Sequence, residues 1–173
     1  VQHLDADLGN SDGDTCHNDM HKILKADFIL ANPPFGIKNW GADSLKDDVR
    51  WKYGVPKDAS ANFAWIQHIV SKLSPLGKGA VILSDGCATV DRHPEAEIRS
   101  GIIDDDLIDC VIQLPAKLFS NTPVSCSVWI LSRDKAHKKR EHKGETLFID
   151  ASKMGQYITK SRSHIELSEP DIA

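Results

Sequence analysis

The chain has 173 residues and a net charge of −4, with 40% hydrophobic and 27% charged residues. That is the length of one domain and the balance of an ordinary globular protein, which excludes a disordered or low-complexity chain. No apolar run approaches the ~20 residues of a membrane span, and the mildly acidic total argues against a stand-alone nucleic-acid binder.

Residues 1–22 are polar and turn-rich, with Gly9 to Asp14 reading as loop. The chain starts at Val1 instead of Met, which fits a fragment or a processed product, and its first residues do not resemble a signal peptide. Asp27-Phe28-Ile29-Leu30-Ala31 is the first convincing strand and reads as buried. It runs into Asn32-Pro33-Pro34-Phe35 and Gly36. Proline fixes φ, donates no hydrogen bond and forces its predecessor into an extended conformation. The Asn32 amide and the Pro33 carbonyl are therefore held at the carboxyl end of a strand, where open α/β sheets place their ligands. Two acceptors aimed at one point suit one amino group, and the Phe35 ring offers a face on which a flat ring stacks. The bland alternative is a strand-ending turn, since Asn and Pro are ordinary turn formers.

The segment from Gly36 to Lys57 carries Trp40, Trp51 and Tyr53 among basic residues, without clean periodicity. It is either a binding loop or lid, or a flap whose tryptophans pack on the core. Phe63, Ile66, Ile69, Val70 and Leu73 recur at helical spacing, so 60–74 is an amphipathic helix ended by Pro75 and Gly77. Gly77-Lys78-Gly79 reads as a structural turn, Ala80 to Leu83 as a buried strand, and Asp85-Gly86 as the turn after it. Asp91 and Pro94 open a second helix to about Ile103. Leu107–Leu114 and Val124–Leu131 are strands with no helix between them, so they should pair antiparallel, and Thr146–Asp150 suits an edge strand.

Lys135, His137, Lys138, Lys139, Arg140, His142 and Lys143 form one basic run, read as a solvated loop or as one facing phosphate or a subunit. The last twenty residues read as irregular. Cys16, Cys87, Cys110 and Cys126 show no metal-ligand spacing, which suits a reduced, cytoplasmic chain. His17 and His21 stand i,i+4 without a third ligand in place, so no metal centre is expected. Strand–helix–strand–helix–strand with a terminal hairpin is an α/β pattern, the C-terminal half of a Rossmann-like sheet.

Asn32-Pro33-Pro34-Phe35 after an apolar strand resembles the catalytic motif of the amino-methyltransferases. The longer run Ala26 to Gly36 resembles the modification (M) subunit of type I restriction–modification systems, the N6-adenine DNA methyltransferases. Gly13-Asp14-Thr15, Asn62-Phe63-Ala64-Trp65, Gly79 to Leu83 and Leu114-Pro115-Ala116-Lys117-Leu118-Phe119-Ser120-Asn121-Thr122 agree with that family in order. The resemblance covers residues 1–155, a partial methyltransferase catalytic domain, and leaves 156–173 as a tail.

The resemblance implies methyl transfer from S-adenosylmethionine to adenine N6, with DNA, a specificity subunit and a restriction subunit as partners. It implies that Asn32, Pro33, Pro34 and Phe35 are catalytic and that Phe35 and Phe119 stack the base. Phe119 reads equally as a core residue beside Leu118. Asp14 and Asn32 lie on the cofactor side. The family's glycine-rich cofactor loop has no counterpart here, so the fragment is expected to be inactive alone and to leave strand 27–31 as a bare edge open to self-association. Two other readings stay open: a methyltransferase for protein glutamine or for guanine N2 of RNA, which usually has Tyr at the aromatic position, or a truncated non-catalytic subunit.

Overall fold

The computed structural model describes residues 5–9, 11–119, 124–136, 141–158 and 164–172. Five strands form one mixed sheet: β1 (Ala26–Ala31), β2 (Leu73–Ser84), β3 (Ile108–Gln113), β4 (Cys126–Ser132) and β5 (Leu147–Asp150). Their spatial order is β1-β2-β4-β3-β5. β1 runs parallel to β2, β4 is antiparallel to both β2 and β3, and β5 is parallel to β3. The expected hairpin between the third and fourth strands is present. Its return strand also inserts beside β2, so β1, β2 and β3 all point the same way.

Helices α1 (Asn62–Lys72) and α3 (Glu95–Asp104) cover one face of the sheet, and the short α2 (Gly86–Thr89) follows β2. Phe63, Ile66, Ile69 and Val70 of α1 and Ile98 and Ile102 of α3 form one buried core with Val81, Leu83, Val111, Trp129 and Leu131. Each such side chain contributes roughly 1.5–3 kcal/mol through burial, which outweighs the modest β-branched penalty within α1. The carboxyl end of α1 is clothed in cations: Lys25 donates to the Ser71 carbonyl, Arg133 to that of Val70 at 2.6 Å. Positive charge at that end offsets the helix dipole.

The other sheet face carries no layer among the described residues. Register places Leu30, Ala80, Ile130, Cys110 and Leu147 in one row across the five strands, and Ile82, Val128, Ile112 and Ile149 in the next. Leu30 is 86% exposed and Phe28 79%. The strand over 27–31 is thus not buried, as its apolar composition suggested, but is an edge with one uncovered face.

Three further expectations change. Gly77-Lys78-Gly79 is not a turn; it lies inside β2. Glycine is required there because a Cβ on Gly77 would stand 2.7 Å from the Ala26 carbonyl of β1. The basic run is not simply solvated at its start. Lys135 is buried, and its Nζ donates to Asp106, to the Ile108 carbonyl and to the Glu145 carbonyl at 2.6–2.7 Å. Residues 137–140 of that run lie outside the described residues. The tail holds a small hairpin, β6 (Gln156–Tyr157) with β7 (Ile165–Glu166), and a helical turn at Glu169–Ile172, so it is not wholly irregular.

The 36–57 segment packs as a flap. Trp40 and Trp51 are buried edge-to-face at 5.9 Å in a second core with Cys16, Ala42, Ala61 and Ala64. Among the described residues no helix is long and apolar enough to cross a membrane.

Candidate active site

The strand directions bring three segments to one end of the sheet: Asn32–Gly36 after β1, Asp85 after β2, and the loop after β3 that leads back to β4. The Asn32 side chain is exposed there, and Pro33 and Phe35 are half-buried. Among the described residues the Asn32 amide takes no hydrogen bond, so its oxygen is available to a ligand.

The position of the motif is fixed from the next helix. Gly36 has φ 58°, a left-handed conformation that favours glycine, and its N–H donates to Asn62 Oδ1 at 3.1 Å. Asn62, the first residue of α1, is 8% exposed and donates through Nδ2 to Ser84 Oγ at 3.2 Å. The flap is fastened beyond that point. The Ile37 carbonyl accepts from Ala61 N–H at 3.0 Å, and Asp58 Oδ1 accepts the N–H groups of Gly41 and Ala42. The strand end with its two prolines is therefore a rigid platform.

Asp14 sits in a turn at the edge of this flap. Its Oδ1 accepts the N–H groups of Cys16 and His17 at 2.9 and 3.0 Å, and its Oδ2 meets the His17 ring at 3.2 Å. The His17 backbone bond leads the effects that hold this carboxyl below its ordinary range. Arg50 links the turn to the flap by donating to the carbonyls of Thr15 and Cys16. Both Asp14 oxygens are thus engaged within its own turn.

Phe119 is half-buried in the loop after β3, at the same end of the sheet as Asn32. Two residues before it, Lys117 is held at φ 65°. The small hairpin braces this point: Ile165 N–H donates to the Lys117 carbonyl at 3.0 Å, and Lys117 Nζ lies 5.6 Å from the Tyr157 ring centre. Residues 120–122 of the loop pattern lie outside the described residues.

Sequence reasoning passed over Asn62 and Asp58 as framework residues and Asp85 beyond the turn it marks. Asn62 follows the cap residue Ala61 and makes no cap bond, so its role rests on its contacts to Gly36 and Ser84, which leave no local signal. The pairing of Asp85 with Gln113 across 28 residues left no local trace.

A mixed sheet whose strand 1 ends in an exposed amide and a carbonyl, with aromatic residues on two loops of the same end, has the pattern of a Rossmann-like methyltransferase fold. The family model for N-6 DNA methylases matches residues 3–173. The chain is 42% identical over all its 173 residues to the type I restriction enzyme HindI methylase subunit of Haemophilus influenzae, and spans 38% of that protein. It is 32% identical over 156 residues to the MjaIX methylase subunit of Methanocaldococcus jannaschii, covering 27% of that protein. A solved type I methyltransferase subunit from Streptococcus thermophilus superposes with a TM-score of 0.78 at 29% identity, covering 92% of this chain and 33% of that one. The chain belongs to the N-6 DNA methylase family.

Proposed function

We propose that the subunit containing this chain methylates adenine N6 in DNA as part of a type I restriction–modification complex, with S-adenosylmethionine as the methyl donor. The observation that carries this reading is the free Asn32 amide beside the Pro33 carbonyl on a braced strand end, with Phe35 three residues on. The N–H groups of an adenine amino group bond to those two oxygens. Holding them there draws the nitrogen toward a tetrahedral, more nucleophilic form, and the fixed platform contributes orientation. The base must leave the duplex, at a few kcal/mol, and stacking on Phe35 and Phe119 offsets part of that.

The residues of this chain do not by themselves hold the donor. No glycine-rich loop stands in the sequence, and Asp14 offers only the remaining lone pairs of a carboxylate that already holds two backbone N–H groups. Asp14 and Asn32 form the near side of the donor's site, and residues outside 1–173 form the rest. Residues 1–155 are the partial catalytic domain in this reading, with 156–173 a tail that braces it. The names of the relatives support DNA, a specificity subunit and a restriction subunit as partners, and such an assembly works in the cytoplasm.

Asn32→Ala in the intact subunit, assembled with its specificity subunit, is the test. Methylation of adenine should fall by several orders of magnitude with cofactor affinity and melting temperature nearly unchanged, because the lost acceptor acts on the transition state. Near-normal turnover refutes the assignment.

A further inference from the structure

Beyond Asn32–Phe35, two consecutive residues at the end of β2 are bonded to both halves of the proposed base pocket. Ser84 reaches toward the catalytic motif: its Oγ accepts from Asn62, whose Oδ1 accepts the Gly36 N–H. Asp85 reaches the other way. Its N–H donates to the Ser125 carbonyl at 3.1 Å, and its Oδ2 accepts from Gln113 Nε2 at 3.2 Å. Gln113 and Ser125 are the two stems of the loop that carries Phe119. The Leu114 N–H, donating to the Cys126 carbonyl at 2.8 Å, closes that loop's base.

We propose that Asp85 is a positioning residue that holds both stems of the Phe119 loop in register with Asn32–Phe35, so that the two walls of the base pocket hang from adjacent residues of one strand end. The inference rests on the adenine-methylation reading and adds a residue to it. A hydrogen bond to one stem alone would brace the loop as a hinge. Bonds to both stems, one from backbone and one from side chain, fix both ends of the loop.

The character of the carboxylate supports a role other than packing. Among the described residues Asp85 Oδ1 is buried and has no hydrogen-bond partner, beside a cavity of 190 Å³ lined also by Ala88, Thr89, Val111, Gln113 and Ser127. Burial raises its pKa against the single bond from Gln113. An unsatisfied buried oxygen opposes folding and calls for an explanation. A leucine would fill the space without that penalty, but it has no acceptor for Gln113.

The experiment uses the intact methylase subunit with its specificity subunit and four variants: Asp85→Ala, Asp85→Asn, Gln113→Ala and the double alanine. Hydrogen exchange over 114–119 and 124–126 reads the tether directly, independent of any chemistry. Fluorescence of 2-aminopurine at the target position and kcat and KM for DNA read the pocket. Both single alanine variants should exchange faster in that segment. Each should flip the base less and lose roughly tenfold in kcat/KM for DNA, the worth of one hydrogen bond in the transition state. The double variant should be no worse than either single one, because both break the same link. Asp85→Asn keeps an acceptor for Gln113 and should recover most of the loss.

Unchanged exchange, or faster exchange with unaltered flipping and kcat/KM, overturns the proposal. So does a loss that tracks melting temperature alone. If Asp85→Ala fails to fold, Gln113→Ala, whose side chain is exposed, decides by the same criteria. An unaltered subunit that methylates no adenine overturns the functional reading and this inference with it, whereas a normal parent with normal variants overturns the inference alone.

Discussion

Asn62 Oδ1 accepts the Gly36 N–H at 3.1 Å, which ties the start of α1 to the residue that follows Asn-Pro-Pro-Phe. The same amide donates to Ser84 on β2, so one side chain fixes the loop after β1 to both its neighbours. Asn62→Ala removes the acceptor of the Gly36 N–H and the donor to Ser84 Oγ, two hydrogen bonds that together should cost about 1–3 kcal/mol in denaturant unfolding. Asn62→Asp keeps the acceptor for Gly36 and should cost less. Equal losses in the two variants would show that the Gly36 bond contributes nothing.

Local chemistry made much of this legible in advance. The 63/66/69/70/73 spacing gave α1, and the lack of a helix between Leu114 and Val124 gave the β3–β4 hairpin. The two prolines marked where strand β1 stops. What escaped was set by distance along the chain. That β4 lies between β2 and β3 depends on pairings such as Val81 with Trp129, 48 residues apart. The Lys135 staple depends on Asp106 and Ile108, 29 and 27 residues earlier. Gly77 resembles a turn residue until the Ala26 carbonyl is seen beside it.

In the intact subunit, Phe35→Ala should weaken capture of an extruded base more than Phe35→Trp does. Any aromatic face can stack, at ~1–3 kcal/mol per base, whereas a methyl group cannot. A target containing 2-aminopurine reports the difference as fluorescence. Identical behaviour of the two variants means that Phe35 is not the platform.

Residues 1–173 alone should bind S-adenosylmethionine weakly or not at all and should self-associate. On the proposed reading these residues hold only the near side of the donor's site, and Phe28 and Leu30 lie bare on an edge strand beside the uncovered sheet face. Phe28→Lys with Leu30→Lys should reduce sedimentation as oligomers without restoring cofactor binding in titration calorimetry. Micromolar cofactor affinity in a clean monomer would place the cofactor site within these residues.

The last expectation is a pH dependence centred on His68. Its neutral imidazole accepts from Arg50 Nη1 at 2.9 Å. Burial, reinforced by the Arg50 charge, depresses its pKa from 6.5 to about 4. The folded chain therefore refuses a proton that the unfolded chain binds, so stability is full above about pH 6.5 and declines as pH falls toward 4. The size is on the order of 2–3 kcal/mol. Asp48 and Asp19, whose carboxyls are held below their ordinary range, act at lower pH, whereas Asp85, whose pKa burial raises, works against the His68 trend by taking up a proton in the folded chain. Urea unfolding of the chain at pH 7 and pH 5, repeated with His68→Gln, isolates the effect. The parent should lose stability across that interval and the variant should stay level. An equal decline in both would assign the titration to another group.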